Sequence, residues 1–282
     1  TIDAGAGDDY LYGGSQGTYL AGEGDDQVQL RIVGNVETLN ADGGAGDDYL
    51  SLNFDDGAAR NIRVSQLAVT GFEQFALWGN SGNDTFIADT GDGITLSGGG
   101  GNDLLVGGSG TASLRGGQGD DILIAGTGFS FMYGGEGADR HVFESLDQSP
   151  SNNSDQLEDF ESGVDVLELG GFQIDDITIA PTSFGSGSYV TVTSGDSEMR
   201  IFVRTSITMA DIGYGFYGGA EQDSLVGRDT SDRLLGYHGA DTLAGGQGDD
   251  LLDGGAEIDT AIVAGAASAY TVTQTSVGVF TV

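Results

Sequence analysis

The sequence predicts an all-β fold, a right-handed parallel β-roll in two blocks separated by a β-rich capping segment. Three observations predict it. A nine-residue repeat recurs along most of the chain, as GGGGNDLLV from Gly98 and as close copies from Gly116 and Gly245. Most of the 52 glycines lie in phase with this repeat, and the chain has only two prolines. Between the repeats, apolar and polar residues alternate with the period of a β-strand.

Each repeat divides into a turn and a short strand. Glycine reaches positive φ at no steric cost, so the glycine-rich first six positions favour a sharp turn. The last three positions form a strand whose middle residue points inward. Two repeats make one turn of the roll, so every second loop stacks along the same edge. The predicted inward positions of the first block are Phe86, Leu96, Leu105, Leu114, Leu123, Met132 and His141.

The sixth repeat position holds the candidate metal ligands. Calcium takes six to eight oxygen ligands in flexible geometry, which loop carbonyls and an Asp carboxylate can supply. The predicted carboxylate ligands are Asp9, Asp26, Asp48, Asp84, Asp103, Asp121, Asp139, Asp223, Asp232, Asp241, Asp250 and Asp259. The predicted carbonyl ligands, at the first and third loop positions, are Gly98, Gly100, Gly116, Gln118, Gly134, Glu136, Gly236, His238, Gly245 and Gln247.

The spacing of these Asp residues predicts which edges hold calcium. Between 79 and 142 they alternate with Ile94, Ala112 and Ser130, so calcium is expected on one edge only. The interval from Asp48 to Asp84 equals four repeats, which predicts two full turns and the same edge for both. From 218 onward an Asp recurs in every repeat, so both edges are expected to be loaded.

About eight Ca²⁺ ions follow from this spacing. The expected pairs are Asp9 with Asp26, Asp26 with Asp48, Asp84 with Asp103, Asp103 with Asp121, Asp121 with Asp139, Asp223 with Asp241, Asp241 with Asp259, and Asp232 with Asp250.

Two segments carry a family resemblance. The repeat is similar to the G-G-x-G-x-D-x-U-x nonapeptide of RTX (hemolysin-type) calcium-binding proteins. DQLEDFESGVDVLELGGF resembles the segment that follows the repeats in serralysin-type secreted metalloproteases and other type I secretion substrates. The tail from Asp259 to Val282 resembles the β-capping ends of RTX arrays, and either a type I export signal or an ordinary closing hairpin fits it. The resemblance implies export by type I secretion machinery and an extracellular location, in which cell-surface attachment is one option.

Three regions are expected. Residues 1–142 form a first roll, degenerate and ion-free between about 50 and 78, where Phe72, Phe75 and Trp78 serve in packing. Residues 143–217 form the capping and linking segment, with a hairpin turn at SGDS, and 218–282 form the second roll with a C-terminal β cap. Asp155, Asp159 and Asp165 are interpreted as a solvated carboxylate cluster in preference to a further ion site.

Composition restricts the partners. The net charge is −35, every basic residue is Arg, and cysteine is absent. Such a charge excludes nucleic acid as a natural partner, and no stretch is apolar enough to span a membrane. Stacked carboxylates repel one another strongly where the dielectric is low, so the calcium-free chain is expected to be largely unfolded.

No catalytic constellation is recognisable. The HExxH helix of the serralysins is absent, His141 and His238 are the only histidines, and no Ser lies in a G-x-S-x-G elbow. We therefore expect no enzyme activity. The favoured function is a calcium-folded structural region of an adhesin or surface-layer protein; the alternative is the non-catalytic C-terminal module of a secreted enzyme such as a serralysin or an alginate epimerase.

Candidate partners are other copies of the chain and a cell-surface polysaccharide, which could contact aromatic residues such as Tyr10, Tyr19 and Tyr49. The sequence does not single out a face for them. Ice binding is disfavoured because the third loop positions form no Thr and Asn ladder.

Overall fold

The chain folds as a parallel β-solenoid, which confirms the predicted fold class. The computed structural model describes residues 1–34, 36, 39–89, 93–150, 154–170, 176–182, 187–217, 222–227, 233–237, 239–246, 250–255, 257–262, 273–276 and 279–281. These residues contain no α-helix and only three short 3-10 helices, Val64–Gln66, Leu146–Gln148 and Met209–Asp211. None of the helices seen in this part of the chain is long and apolar enough to cross a lipid bilayer.

One broad sheet, sheet 2, runs along one face of the solenoid. Its parallel strands, in spatial order, are β2 (Tyr10–Gly14), β4 (Gln27–Ile32), β6 (Tyr49–Phe54), β9 (Gln74–Trp78), β11 (Gly93–Gly100), β13 (Ala112–Gln118), β15 (Ser130–Glu136), β17 (Gln156–Leu157) and β21 (Ser197–Val203). Two antiparallel strands, β20 (Ser188–Ser194) and β19 (Asp176–Pro181), end this sheet.

Two sheets complete the solenoid opposite sheet 2. Sheet 1 contains β1 (Ile2–Ala6), β3 (Gly17–Glu23), β5 (Leu39–Ala45) and β8 (Val69–Thr70). Sheet 3 contains β7 (Asn61–Arg63), β10 (Thr85–Ile87), β12 (Leu104–Val106), β14 (Ile122–Ile124), β16 (Arg140–Phe143), β18 (Val166–Gly170), β22 (Ile212–Tyr217), β24 (Arg233–Leu235), β26 (Leu251–Asp253), β29 (Val279–Thr281) and β28 (Thr273–Ser276).

The second repeat block adds a small fourth sheet. Sheet 4 contains β23 (Ser224–Val226), β25 (Thr242–Ala244) and β27 (Thr260–Ile262). Its strands alternate along the chain with β24 and β26 of sheet 3, so this block winds like the first. The hairpin of β28 and β29 pairs antiparallel with β26, which agrees with the closing-hairpin interpretation of the chain end.

Successive turns lie in register at the predicted spacing. Ile94 pairs with Ala112, which pairs with Ser130, each step being two repeats along the chain. All seven predicted inward positions, from Phe86 to His141, have 0% exposure. The repeat spacing therefore predicted the core of these turns correctly, because alternate residues of a strand point to opposite faces of its sheet.

The segment between the repeat blocks extends the solenoid as well as ending one sheet. Strands β17 and β18 continue sheets 2 and 3, and β22 carries sheet 3 on to β24 of the second block. The predicted turn at SGDS joins β20 to β21, with Ser194 paired to Ser197 and Gly195 at a φ of 57°. The cap interpretation thus fits sheet 2 only; the boundaries at 142 and 217 stay a prediction.

Besides continuing sheet 3 through β24 and β26, the second repeat block packs against the outer face of the earlier strands β12, β14 and β16. Leu235 and Tyr237 bury apolar side chains of β12, β14 and β16 there, including Ile124 and Val142. Beside them lies Glu168, which is fully buried. Its Oε1 accepts a 2.8 Å hydrogen bond from Nε of Arg140, and its Oε2 accepts one of 2.8 Å from the Tyr237 hydroxyl.

Replacing the Tyr237 hydroxyl tests this contact between the blocks. Tyr237→Phe keeps the ring but leaves Oε2 of the buried Glu168 without that donor, so we expect the free energy of unfolding to fall by about 1 to 3 kcal/mol. Urea denaturation of the calcium-loaded protein measures it. Tyr12→Phe is the matched control, because the Tyr12 side chain is 64% exposed. An equal fall in the free energy of unfolding in the two variants would contradict a stabilising role for the contact between Tyr237 and Glu168.

Candidate calcium sites

The loops stack so closely that glycine is required at defined positions. Gly99 and Gly101, the second and fourth residues of one loop, have φ values of 102° and 108°. A Cβ on Gly117, in the next turn, would lie 2.1 Å from the carbonyl oxygen of Gly99. A side chain at such positions would therefore separate the turns, which explains the glycine content of the repeat.

The sixth-position carboxylates form a ladder from turn to turn. Oδ1 of each accepts a hydrogen bond from the backbone N–H of the Asp one turn earlier. The N···Oδ1 distances are 2.7 Å for Asp9 to Asp26, 2.8 Å for Asp26 to Asp48, 2.6 Å for Asp84 to Asp103, 2.8 Å for Asp103 to Asp121, 2.9 Å for Asp121 to Asp139, 2.8 Å for Asp223 to Asp241 and 2.9 Å for Asp241 to Asp259. The structure thus brings together seven of the eight predicted Asp pairs.

The second carboxylate oxygen is buried without a hydrogen-bond partner. This holds for Oδ2 of Asp9, Asp26, Asp48, Asp84, Asp103, Asp121, Asp139 and Asp241. A buried anionic oxygen that lacks a partner is strongly unfavourable in a protein interior. A cation bound beside these oxygens would therefore stabilise the fold.

Backbone carbonyls converge on the same spaces. If Gly79 had a Cβ, this atom would lie 2.3 Å from Oδ2 of Asp84 and 2.1 Å from the carbonyl oxygen of Gly98, one turn on. The Cβ position of Gly116 is likewise 2.1 Å from Oδ2 of Asp121 and 2.5 Å from the carbonyl oxygen of Gly134. The first-position glycine therefore leaves room for an ion between a carboxylate and a carbonyl, as calcium requires.

Third-position carbonyls also face the neighbouring turn. The carbonyl oxygen of Gln118 accepts a 2.9 Å hydrogen bond from the N–H of Gly101, and that of Glu136 accepts one of 2.8 Å from Gly119. A carbonyl oxygen has two lone pairs, so each keeps one for a metal.

The two Asp rows of the first roll lie on opposite edges, which corrects the prediction of a single edge. Asp9, Asp26 and Asp48 immediately precede strands of sheet 2, and we name this side the leading edge. Asp84, Asp103, Asp121 and Asp139 follow strands of sheet 2 and precede those of sheet 3, on the trailing edge. The parallel strands of sheet 2 share one direction, so their beginnings and ends lie on opposite sides.

The change of edge occurs in the stretch predicted to be degenerate. From Asp48 the chain passes Arg60 on the trailing edge and Glu73 on the leading edge before it reaches Asp84. This interval thus makes one and a half turns, because insertions lengthened the loops. Arg60 N–H donates to Oδ1 of Asp84, at 2.6 Å, so an arginine occupies the sixth position there.

Glu73 is a candidate ligand that the sequence reasoning missed. Its Oε2 accepts a 2.8 Å hydrogen bond from the N–H of Asp48, as the sixth-position Asp does elsewhere. The carbonyl oxygen of Gly71 and Oδ2 of Asp48 approach the Cβ position of Gly43 at 2.0 and 2.8 Å. The signal was available, since Glu73 precedes the buried Phe75 by the same two residues as each Asp precedes its apolar position.

Between Asp84 and Asp139 the residues without a carboxylate stack on the other edge, as their spacing predicts; that this edge binds no calcium stays a prediction. Ile94, Ala112 and Ser130 occupy the sixth position there, and all three are buried. In the second block Asp223, Asp241 and Asp259 lie on one edge and Asp250 on the other. Asp232, His238 and Gln247 lie outside the described residues. Gly245 and Gly236 again have an Asp Oδ2, of Asp250 and Asp241, within 2.3 Å of their Cβ positions.

Fifth-position side chains form a second ladder. Oδ1 of Asn102 accepts a 3.1 Å hydrogen bond from the N–H of Asp120, and Oδ1 of Asp120 accepts one of 2.9 Å from Ala138. These oxygens tie each loop to the next turn at the exposed side of the loop. The side chains at this position therefore hold the loops together by hydrogen bonds.

Asp155, Asp159 and Asp165 are not a solvated cluster, which corrects that interpretation. Asp155 and Asp165 are buried. Asp165 continues the trailing-edge ladder, since its Oδ1 accepts a 3.0 Å hydrogen bond from Asp139 N–H. Asp155 lies on the leading edge and accepts one of 2.6 Å from Ser130 N–H. Asp159 is exposed and lies in the same loop as Asp165, between β17 and β18, where its Oδ1 accepts a 2.9 Å hydrogen bond from Gly134 N–H. Asp155 therefore lies apart from the other two, on the opposite edge.

Three other residues depart from or refine their predicted roles. His141 packs in the core against Phe160, and burial lowers its pKa to about 3, so its imidazole is neutral. Phe72 and Phe75 are buried as predicted, but Trp78 is 37% exposed, which corrects its packing role. Tyr19, a candidate for polysaccharide contact, is buried at 3% exposure, with its hydroxyl donating to the backbone carbonyl of Gly14.

Burial makes the ladder carboxylates hard to ionise. It raises the pKa of Asp103 and Asp121 to about 7, and that of Asp139 and Asp241 to about 6, with neighbouring Asp residues adding to the rise. One pKa unit corresponds to about 1.4 kcal/mol, so ionising Asp103 in the ion-free fold costs roughly 4 kcal/mol more than ionising a solvated Asp. A divalent cation between the turns would offset this cost.

The sites depend on carbonyls as much as on carboxylates. Across the described residues, no point gathers three or more His, Cys, Asp or Glu side chains that could hold a metal ion. One or two carboxylates per space, supplemented by loop carbonyls, form an all-oxygen set suited to Ca²⁺ and unsuited to softer metals.

Fold and site together define a calcium-binding parallel β-roll protein. The model of the family described as Peptidase M10 serralysin C terminal matches residues 19–196, and the chain belongs to this family. The RTX calcium-binding nonapeptide repeat (4 copies) matches residues 1–20, 217–252 and 226–261. Both families are typical of calcium-binding proteins secreted by type I systems. No curated protein matched the chain.

Neighbouring Asp residues provide a matched test of the two ladders. Asp121→Asn keeps an oxygen acceptor but removes the buried charge, so we expect the calcium concentration at half-folding to rise several-fold and at least one ion to be lost. Asp120→Asn changes the adjacent fifth position in the same way and should leave both unchanged. Isothermal titration calorimetry measures the number of bound ions, and circular dichroism measures the calcium concentration at half-folding. A larger effect of Asp120→Asn than of Asp121→Asn would contradict the assignment of the sixth position to calcium.

The raised pKa values predict how pH affects the calcium-free protein. Protonated Asp103 and Asp121 fit the fold, so their contribution to stability is complete below about pH 4 and lost as pH rises through about 7. We therefore expect the calcium-depleted chain to gain strand structure on acidification from pH 8 to pH 5. Circular dichroism checks this. Strand content that is highest at alkaline pH would contradict it.

Proposed function

We propose that this chain is a calcium-folded, non-catalytic scaffold of a secreted or cell-surface RTX protein of the adhesin or surface-layer type. The observation that carries the proposal is the row of buried, unpartnered Oδ2 atoms, one per turn, beside loop carbonyls. Such a row has no evident use in turnover. It makes the rigidity of the solenoid depend on calcium, which extracellular fluid supplies at concentrations that extracellular calcium modules require.

The proposed ion positions follow the predicted pairs, which account for about eight Ca²⁺. Ions between Asp9, Asp26 and Asp48 would lie on the leading edge, and those between Asp84, Asp103, Asp121 and Asp139 on the trailing edge. The spaces from Asp48 to Glu73 and from Asp139 to Asp165 have related oxygen sets and are candidates for two more. In the second block, the pairs are Asp223 with Asp241, Asp241 with Asp259, and Asp232 with Asp250.

A specific observation favours one alternative. The match to the serralysin C-terminal family over residues 19–196 fits the non-catalytic module of a secreted enzyme. In both cases the chain would be exported by type I machinery, and it would support the activity of another domain or protein. The scaffold role is favoured by the second repeat block, which extends beyond that match and docks on sheet 3.

Calcium removal tests the scaffold directly. Eight ions would change the formal charge from −35 to −19, so their removal restores repulsion between stacked carboxylates. We expect EGTA at low salt to abolish most strand structure in circular dichroism and calcium to restore it, while magnesium at equal concentration does not. Strand content that survives chelation would contradict the proposal, as would turnover of a peptide or polysaccharide that is lost on substituting a residue outside the loops.

A further inference from the structure

The exposed aromatic residues of the solenoid lie on one face. Among the described residues, the exposed aromatic side chains are Tyr10 at 63%, Tyr12 at 64% and Trp78 at 37%. All three point outward from sheet 2, because their strand neighbours Leu11 and Leu77 are buried in the core. Half-buried Tyr49 points outward from the same sheet. Aromatic rings left in water are unfavourable, so their collection on one face requires an explanation.

Packing within the sheet does not supply that explanation. Tyr10 pairs with Gln27, and Gln27 with Tyr49, so the two tyrosines are separated by a whole strand. In the described chain, none of the four rings stacks on another aromatic ring. Cross-strand aromatic pairs, the usual way in which such residues stabilise a sheet, are therefore not formed here.

Three of these rings line a shallow groove together with side-chain amides. The groove encloses about 320 Å³, and Tyr10, Tyr49 and Trp78 border it together with Gln27, Gln29 and Asn53. The hydroxyl of Tyr10 donates a 2.5 Å hydrogen bond to Oε1 of Gln29, which orients both side chains across the strands. Strands lie about 4.8 Å apart, so Tyr10 and Tyr49 are about 10 Å apart along the groove.

The face also differs in charge from the rest of the chain. The protein has 44 acidic residues, yet the residues that line the groove include no Asp or Glu. Two arginines lie on the same face outside the groove: Arg31, which pairs with Asp55, and Arg115, whose guanidinium lies 4.5 Å over the ring of Tyr133. The groove itself is aromatic and amide-rich, and its lining includes no charged side chain.

We propose that this groove binds an extended, uncharged polysaccharide that crosses strands β2, β4, β6 and β9. Sugar rings present C–H groups on their faces and hydroxyls at their rims, so aromatic rings flanked by Gln and Asn match both. The groove lining has no carboxylate or guanidinium group, which favours a neutral glycan over an acidic one. This inference rests on the proposed scaffold function, because it names the ligand to which the scaffold would attach.

Affinity electrophoresis of the calcium-loaded chain tests the groove. The probes are soluble xylan and hydroxyethyl cellulose as neutral chains, and alginate as an acidic one. We expect retardation by at least one neutral probe and little by alginate. In Tyr10→Ala/Trp78→Ala the affinity should fall by about tenfold or more, because stacking contacts contribute roughly 1 kcal/mol each. Met209→Ala, which removes a 47% exposed apolar side chain elsewhere, should bind as the unsubstituted chain does.

A second readout follows from the sequence. Trp78 is the only tryptophan, so its fluorescence reports this groove alone, and a neutral glycan should shift its emission to shorter wavelength. Retardation by no neutral probe, by alginate only, or to the same degree in the double variant would overturn the inference. Circular dichroism of the same samples separates the two proposals: a chain that folds with calcium but binds no glycan refutes the groove alone, and one that does not fold with calcium refutes the scaffold.

Discussion

The fold depends on one buried carboxylate oxygen per turn that the protein alone does not neutralise. Oδ1 of each ladder Asp holds the backbone of the preceding turn, and this fixes the side chain so that Oδ2 points into the space between turns. The glycine at the first loop position leaves that space open. The same residue thus provides register and creates a demand for a cation, so turn stacking and calcium binding are a single interaction. The apolar core supplies the remaining stability through fully buried residues such as Phe86 and Leu105.

The position of this ladder is set by loop length and not by the repeat alone. Between Asp48 and Asp84 the chain inserts residues in two loops, and the Asp row moves from the leading to the trailing edge while sheet 2 continues unbroken. Sheets tolerate this because hydrogen bonding in β6, β9 and β11 depends on strand register, which the insertions leave intact. The result is a solenoid whose rigidity would be secured on one side near its beginning and on the other side further along.

The periodicity of the sequence predicted the features that depend on residues close together in the chain. Seven inward positions, the stacking of every second loop and the Asp-free edge at Ala112 and Ser130 were all predictable, because strand alternation and turn geometry act over short stretches of chain. The edge change was not, since the interval from Asp48 to Asp84 fits either two short turns or one and a half long ones. Contacts between distant segments, such as Tyr237 on Glu168, were also invisible, because no spacing rule relates positions so far apart in the chain. Trp78 was misassigned for a similar reason. The sequence does not show which face of the sheet an aromatic residue at the end of a strand occupies, so a packing role was expected.

The most direct test of the account is to locate the ions. Anomalous X-ray scattering from crystals of the calcium-loaded chain would place each Ca²⁺ relative to the two edges. We expect ions beside Oδ2 of Asp26 on the leading edge and of Asp103 and Asp121 on the trailing edge, each also contacting a carbonyl from the next loop. Calcium bound beside Ala112, or ladder spaces that stay free of metal at saturating calcium, would contradict it.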